Sequence, residues 1–321
     1  MNHRYSVSGF VLVSDAPIPE LNQACDIVPN TDQLIGAHLR DFSSDVGTPS
    51  QWFMRQNLPD GDPWTARART PEGYFLSFHN RADFLVDRDG RYITCVARHP
   101  ATSDLMIRAL LLDHVIPPVI ALRGRYVLHA AAVRTSAGVC VFAGDSGVGK
   151  STIAAQLAAT GCDFLTDDYL VLDEQDGAVV AWASHPSIKL WDDAIQFLKP
   201  GCDGEPVSEY TTKRRVPASS FGAAIPTEPL PVVRLYFLRR GEDAVMTDQP
   251  QIKRLPPHTA FMRLVNHSTR LDCGDRAMLE REFQFTRRIV DSVPAALLSL
   301  PNDLSRLHLV HDAIAADLAP I

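Results

Sequence analysis

The chain has 321 residues, 45% of them apolar and 21% charged, and this length predicts two domains. The composition is that of a globular protein, and the formal net charge of -7 argues against a general nucleic-acid binder, which needs excess lysine and arginine to face phosphates. The six cysteines include no C-x-x-C pair, so we expect neither a disulfide framework nor a cysteine zinc site.

The N-terminal part, residues 1–100, predicts a small, mainly antiparallel β domain with substrate recognition as a candidate role. A strand is expected over 4–13, whereas residues 30–72 show no sustained period that would place an element. Three further strands are predicted over 74–78, 84–87 and 92–97, and the last two are joined by a turn at Asp89-Gly90.

The second domain, residues 101–321, is predicted to open with a helix that Ser103 and Asp104 cap and that runs to about residue 114. Pro117 and Pro118 would then break or restart the helix. Because this apolar stretch also carries charges, we predict no membrane span, and the N-terminal apolar run is too short for a secretory signal. We therefore expect a cytoplasmic protein.

The middle of the chain predicts a βαβ unit. Strands are expected over 126–133 and 139–143, a helix over 150–160 ends before Gly161, and a strand over 162–166 follows. Such a unit has a right-handed crossover and makes its two outer strands parallel. Beyond it we predict strands over 169–172, 178–183, 232–238 and 295–300, helices over 257–266, 276–291 and 303–318, and a long proline-rich loop over 200–231.

The sharpest motif lies between the predicted strand 139–143 and the helix 150–160, and it matches G-x-x-x-x-G-K-[ST]. Backbone amides of such a loop converge on phosphate oxygens, the lysine reaches the β- and γ-phosphates, and the following hydroxyl holds Mg²⁺. The alternative is a glycine-rich turn with an exposed lysine. The predicted nucleotide-binding residues are Gly144, Asp145, Ser146, Gly147, Val148, Gly149, Lys150, Ser151 and Thr152.

Two further candidates flank this motif. Asp167-Asp168 ends the strand 162–166, where carboxylates can support Mg²⁺ or accept a proton from an attacking hydroxyl. Because adjacent strand residues point to opposite faces, we expect the two acids to have different roles; the alternative is a solvated turn pair. His129, in an apolar strand beside the motif, is either a catalytic group or a hydrogen-bonded core residue.

Basic residues later in the chain are candidates for stabilising a transferring phosphoryl group. Lys213, Arg214 and Arg215 lie in the predicted long loop, where a mobile cation could neutralise transition-state charge. The alternative is a solvated run of charge. Lys189 is a weaker candidate, because its strand could point it toward the same edge.

The run from Leu128 to Asp168, LHAAAV…GVCVFAGDSGVGKSTIAAQL…GCDFLTDD, resembles the catalytic domain of HPr kinase/phosphorylase. It also resembles the HPr-kinase-like proteins of similar length, some of which are encoded beside lasso-peptide biosynthesis enzymes and open with a phrase similar to PIPEL. The resemblance implies an α/β fold with a P-loop catalytic domain and a smaller β domain. It further implies that Asp167 accepts the proton of the substrate hydroxyl, that His129 and Lys150 act in catalysis, and that Ser151 and Asp168 hold Mg²⁺.

By this resemblance the chain is an ATP- and Mg²⁺-dependent serine kinase. The glutamate-bearing signature of the bacterial HPr kinases has no match in SHPSIKLWDD, so the expected acceptor is a peptide or small protein, such as the C-terminal serine of a lasso precursor, rather than HPr. Two alternatives remain, a kinase of free serine and a nucleotide-binding regulator that phosphorylates nothing. No nucleic-acid or membrane partner is expected, and a homo-oligomer is left open.

Overall fold

The computed structural model describes residues 3–24, 31–41, 47–58, 60–99, 101–240, 249–301 and 303–319. It has a mixed α/β fold with several sheets and divides into two compact units. The first unit is Met1–Gly124 with Arg270–Met278, and the second is Arg125–Thr269 with Leu279–Ile321. The division therefore falls at Gly124, whereas the sequence predicted a boundary near residue 100.

The first unit contains an eight-stranded sheet in which five of the seven strand pairings are antiparallel. The expected strand over 4–13 is a hairpin instead, because Ser8 and Gly9 both have positive φ and turn the chain. The strands are β1 (His3–Val7), β2 (Phe10–Ser14), β3 (Leu34–Asp41), β4 (Met54–Asn57), β5 (Pro63–Arg69), β6 (Gly73–Phe78), β7 (Ala82–Asp87) and β8 (Tyr92–Ala97). β3, β4 and β5 lie in the region where sequence predicted no element.

One long helical stretch follows the sheet. Ser103 caps it, since its hydroxyl accepts a hydrogen bond from the Met106 amide at 3.1 Å. Of the two outcomes predicted at Pro117 and Pro118, the structure shows the restart, because a π-helical turn precedes the prolines and places them in the first turn of a new segment, where no amide is needed. The segments are α1 (Asp104–Leu110), the π turn (Leu111–Val115) and α2 (Ile116–Leu122).

This stretch belongs to the core of the first unit. The ring of His114 lies 5.6 Å from that of Trp64 and 5.7 Å from that of Phe78, so the helix packs on the sheet and the boundary moves to its end. By length and apolar composition Asp104–Leu122 would pass as a membrane span, the one such helix among the described residues. However, 72% of its most apolar window is buried within the protein, as in the core helices of soluble proteins.

The second unit contains the predicted βαβ unit and most of the remaining helices. Its strands are β9 (Tyr126–Leu128), β10 (Ala130–Thr135), β11 (Gly138–Ala143), β12 (Asp163–Thr166), β13 (Leu170–Gln175), β14 (Ala178–Trp182), β15 (Ser187–Leu190), β16 (Glu205–Ser208), β17 (Thr211–Pro217), β18 (Leu230–Arg239), β19 (Gln251–Arg254) and β20 (Ala295–Ser299). Its helices are α3 (Lys150–Ala159), α4 (Asp192–Leu198), α5 (Pro257–His267), α6 (Arg276–Ser292) and α7 (Leu307–Leu318).

The central sheet of this unit is buried on both faces. Side chains alternate along β11, so that Cys140 and Phe142 join one apolar core with α3, α4 and α7. Val141 and Ala143 join the other core, to which α5, α6 and the strands β9, β13 and β14 contribute. Because helices cover both faces, a ligand is expected at the edge of the sheet formed by the carboxyl ends of its strands.

Two predictions for this unit are corrected. The strand expected over 126–133 is split at His129, because β9 pairs with β13 whereas β10 pairs with β11 and β12. The long loop expected over 200–231 contains β16 and β17, which form a three-stranded sheet with β15. The basic triplet thus lies on a strand, and its side chains alternate in direction.

Candidate functional site

Strand directions bring three of the predicted segments to one edge of the central sheet. β10 lies between β11 and β12 and is antiparallel to both, so β11 and β12 run parallel, as the βαβ unit predicts. The carboxyl ends of β11 and β12 therefore meet the amino end of β10. The glycine-rich loop follows β11, Asp167-Asp168 follows β12, and His129 precedes β10.

The loop between β11 and α3 has the conformation of an anion cradle. Gly147 and Gly149 have φ of 81° and 113°, values that glycine adopts readily and that are typical of loops whose successive amides converge on an anion. No side chain caps the amino end of α3, which leaves its first amides open for an anion.

Lys150 lies at the base of this cradle. Its ammonium donates to the carbonyl oxygens of Gly144 at 2.7 Å and Asp145 at 3.0 Å. Burial lowers the pKa of Lys150 to about 8, although the nearby carboxylate of Asp168 raises it. An anion placed in the cradle would favour the charged form further.

A cavity of about 160 Å³ opens in front of the cradle and gathers most of the predicted residues. The predicted residues that line it are His129, Ser146, Gly147, Gly149, Lys150, Ser151, Thr152, Asp167, Asp168 and Lys213. Gly144, Asp145, Val148, Arg214 and Arg215 are not among its lining residues. Residues that the sequence undervalued or missed also line it: Lys189, Trp191, Asp193 and Arg240.

Asp167 is the most deeply buried acid of the cavity, at 3% exposure. Its Oδ2 accepts a hydrogen bond of 2.5 Å from the backbone amide of Lys189. Its Oδ1 is buried and has no hydrogen-bond partner among the described residues. Burial raises the pKa of Asp167 to about 6, against the opposing charge of Lys189. This carboxylate is therefore basic, and one of its oxygens has no hydrogen-bond partner among the described residues.

Asp168 lies in a different electrostatic environment. Burial alone would raise its pKa, but the Lys189 ammonium, 2.9 Å from Oδ2, and His129, 3.8 Å from Oδ1, hold the pKa well below its usual range. Both acids lie in a bend after β12 and line one cavity, so the expected separation onto opposite faces is wrong. Their different partners nevertheless give them different charge states.

His129 is at the gap between β9 and β10. Its backbone amide donates to the carbonyl of His267 at the end of α5, 2.8 Å away, and its side chain is 42% exposed. Partial burial lowers the pKa of His129, while the Asp168 carboxylate opposes this shift. A histidine that interrupts a strand in order to face a polar cavity is unlike the buried core residue considered from the sequence.

The basic triplet is dispersed by strand alternation. Lys213 faces the cavity, with its ammonium 5.4 Å from the centre of the Trp191 ring. Arg214 points away and donates to Asp192 at 3.0 Å. Arg215 is buried opposite Lys189 in the ladder of β15 and β17. Of the three candidate cations, Lys213 is the one that reaches the cavity.

Lys189 and Arg240 are the functional candidates that sequence reasoning weighted too low or missed. Lys189 contacts both acids, through its backbone amide and its ammonium. Arg240 follows β18, which runs parallel to β11, so the same carboxyl-edge rule that located the acids would have located this arginine. The missing information was the pairing of β18 with β11, which periodicity does not supply.

The cavity residues fit a nucleotide phosphate chain and Mg²⁺. Mg²⁺ is usually bound by one or two carboxylates together with phosphate oxygens, and the Ser151 hydroxyl and the carboxylate oxygens of Asp167 and Asp168 line the cavity together. The unpartnered Asp167 Oδ1 is the observation that calls for a proton, a cation or a donor at this place.

Comparisons with known proteins find likenesses among solved structures. No protein-family model matches the chain, and no curated protein matches it. Among solved structures, "Structure of the Hpr(Ser) kinase/phosphatase from Coxiella burnetii" aligns with 60% of this chain and 99% of that chain, at 11% identity and a TM-score of 0.33. A likeness of this degree carries no argument about activity, so the functional case rests on the cavity itself.

Proposed function

We propose that the protein is a kinase that transfers the γ-phosphoryl group of ATP to a serine hydroxyl of a peptide or small protein. The observation that carries the proposal is Asp167, which lines the same cavity as the glycine-rich loop and has a buried oxygen without a hydrogen-bond partner among the described residues. A nucleotide-binding loop alone would serve an ATPase or a sensor equally well. A basic carboxylate beside it adds an acceptor for the proton of an incoming hydroxyl.

Each cavity residue has a distinct part in this reaction. The amides around Gly147 and Gly149 and the Lys150 ammonium bind the phosphate chain and fix its direction. Asp167 Oδ1 orients the acceptor hydroxyl and takes its proton, and the pKa near 6 keeps it ionised at neutral pH. Lys189 holds the carboxylates of Asp167 and Asp168 in place. Mg²⁺, when bound by Ser151 and Asp168, would neutralise phosphate charge.

The acceptor class rests on the sequence resemblance rather than on the cavity. The relatives that the chain resembles phosphorylate a peptide ending in serine, and this is the class we propose for the present protein. Free serine is the competing small-molecule acceptor. The two differ in whether the acceptor extends beyond the cavity, so they are separated by direct comparison.

The test is phosphate transfer from γ-labelled ATP with Mg²⁺ to peptides that end in serine, to the same peptides ending in alanine, and to free serine. We expect label on the serine peptides, with the site located by mass spectrometry. Asp167→Asn should reduce transfer by at least about 100-fold while leaving the affinity for AMP-PNP, a non-hydrolysable ATP analogue, within a few-fold of wild type.

Two controls make this result specific. Asp163→Asn changes an acid at the opposite end of β12, outside the cavity, and should transfer phosphate at the wild-type rate. Lys150→Ala should weaken nucleotide binding itself. Transfer that survives Asp167→Asn would refute the proton-acceptor role, and nucleotide binding without transfer to any acceptor would leave only the regulator hypothesis.

A further inference from the structure

Arg240 reaches the cavity from a strand that the nucleotide motif does not include. β18 pairs in parallel with β11, with Phe237 opposite Ala143, so both strands end at the same edge. The glycine-rich loop leaves β11 there, and Arg240 leaves β18 one residue after its end. Its side chain lines the cavity, and Nη2 lies 3.9 Å from where a Cβ on Gly149 would be.

Within the described part of the chain, the guanidinium of Arg240 is held only weakly. Among the residues that the structure describes, its hydrogen bond is one of 3.5 Å to the carbonyl of Pro301, which is at the limit for such a bond. Its Nε is buried and has no hydrogen-bond partner among those residues. A buried arginine nitrogen without an acceptor is costly, and an anion in the cavity would supply the acceptor.

The other cations of the cavity are already engaged. Lys150 donates to two carbonyl oxygens of its own loop, and Lys189 is paired with Asp168. Lys213 lies over the ring of Trp191. Arg240 differs from these lysines. Its planar guanidinium faces the loop at Gly149, and its hydrogen bond among the described residues is the long one to Pro301. Guanidinium geometry suits the oxygens of a phosphoryl group.

We propose that Arg240 is a catalytic residue that binds the terminal phosphoryl group of the nucleotide and stabilises it during transfer. The inference rests on the proposed kinase function. In the step, the bond from the γ-phosphorus to the bridging oxygen breaks and its electron pair remains on ADP. A bond forms from the acceptor oxygen to the γ-phosphorus, and the hydroxyl proton goes to Asp167. Negative charge on the equatorial oxygens is what Arg240 would neutralise.

The experiment compares a ground-state and a transition-state ligand in wild type, Arg240→Ala and Arg240→Lys. AMP-PNP with Mg²⁺ represents the ground state, and ADP with Mg²⁺ and aluminium fluoride represents the transferring group; both affinities are measured by calorimetry. Phosphate transfer to a serine peptide and phosphate release to water are measured in parallel. Arg239→Ala is the matched control, because this neighbouring arginine does not line the cavity.

We expect Arg240→Ala to lose at least about 100-fold in turnover and to lose a similar factor in the tightening that aluminium fluoride gives to ADP. AMP-PNP affinity should change by less than about five-fold, Arg240→Lys should recover part of the tightening, and Arg239→Ala should match wild type. The Lys variant retains the charge and the side-chain bulk, so it remains informative should the Ala variant fold poorly.

Two results would overturn the inference. One is an unchanged aluminium fluoride effect in both Arg240 variants, and the other is an equal loss of affinity for both ligands, which would make Arg240 an ordinary binding residue. A wild-type protein that hydrolyses ATP but transfers phosphate to no peptide and not to free serine would refute the kinase proposal instead. In that event the ratio of the two affinities still decides whether Arg240 recognises the transferring group.

Discussion

At the scale of single residues, the cavity separates two adjacent acids into different charge states. Asp167 is buried, and one of its oxygens has no hydrogen-bond partner among the described residues. Loss of hydration therefore raises its pKa to about 6. For Asp168 burial acts in the same direction, but the charge of Lys189 outweighs it and keeps the pKa well below the usual range. One lysine therefore permits the neighbouring positions to act as a base and as a permanent anion.

The raised pKa of Asp167 predicts a pH dependence of transfer. A proton acceptor must be ionised, so activity should fall as the pH is lowered through about 6, with the ionised fraction of one carboxylate. Transfer rates at saturating ATP between pH 5 and 8 measure this limb. A rate that stays constant down to pH 5 would show that Asp167 does not accept the proton.

The same shift predicts that Asp167→Asn, although it lowers activity, raises the stability of the fold. In the unfolded chain an aspartate ionises near pH 4, below the folded value near 6, so the contribution of Asp167 to stability declines as the pH rises through this interval. Asp167→Asn removes that cost and should raise the free energy of unfolding at pH 8 by on the order of 1–3 kcal/mol.

Urea unfolding at pH 8 and pH 4 measures the effect, which should disappear at pH 4. The Asp163→Asn variant should show no such gain, because no buried charge is relieved there. A destabilised Asp167→Asn protein at pH 8 would mean that the carboxylate, rather than burdening the fold, is stabilised by contacts that an amide does not reproduce.

At the scale of elements, the small sheet of β15, β16 and β17 positions the site. β15 places the Lys189 amide against Asp167 and its ammonium against Asp168, while β17 turns Lys213 toward the cavity and Arg214 away from it. The sequence predicted a loop over 200–231, the stretch that contains β16 and β17, because it has six prolines. Pro206 and Pro217 are nevertheless accommodated, since they lie on an outer strand and at a strand end.

The contacts of Lys189 predict a positioning role with a distinct kinetic signature. Lys189→Met keeps the hydrogen bond from the backbone amide to Asp167 but removes the ammonium that pairs with Asp168. It should lower kcat by about 10- to 100-fold with a smaller effect on KM for ATP. Lys189→Arg should recover part of the rate. A loss confined to KM, or equal losses in both variants with wild-type stability, would contradict this role.

At the scale of the whole molecule, the chain passes from the second unit back to the first at Arg270–Met278. Within the first unit this segment is fixed by Asp272, which is fully buried and accepts hydrogen bonds of 2.5 and 2.8 Å from Arg69 on β5. Arg67 adds a bond of 2.8 Å to the carbonyl of Arg270. Two arginines of one strand thus hold a segment about 200 residues away in the chain.

This anchor predicts a stability effect that leaves nucleotide binding untouched. Arg69→Ala leaves the Asp272 carboxylate buried without its ion-pair partner and should cost about 3 kcal/mol of unfolding free energy, whereas Asp272→Ala removes the charge itself and should cost less. Urea unfolding of both variants and of the double variant measures the coupling. Additive losses, or a changed AMP-PNP affinity, would show that the pair does not act as a local anchor.

The sequence by itself determined the elements whose signals are local. The strand, glycine-rich turn and helix over 138–159 follow from neighbours in the chain, as do the hairpin turn at Asp89-Gly90 and the cap at Ser103. The parallel relation of β11 and β12 was predicted as well, because a helix between two strands returns the chain to the end of the sheet at which the first strand began. The roles predicted for Asp167, Asp168 and His129 remain to be tested.

Only the tertiary structure decided which charges face the cavity. Whether Lys213 or Arg214 points inward depends on the register of β17 against β15, and the presence of Arg240 depends on the pairing of β18 with β11. Register and pairing are fixed by contacts between segments far apart in the chain, and a shift of one residue reverses every side chain. The sequence named Lys189 and the triplet Lys213, Arg214 and Arg215 but not Arg240, and long-range strand pairing selected the cations that reach the cavity.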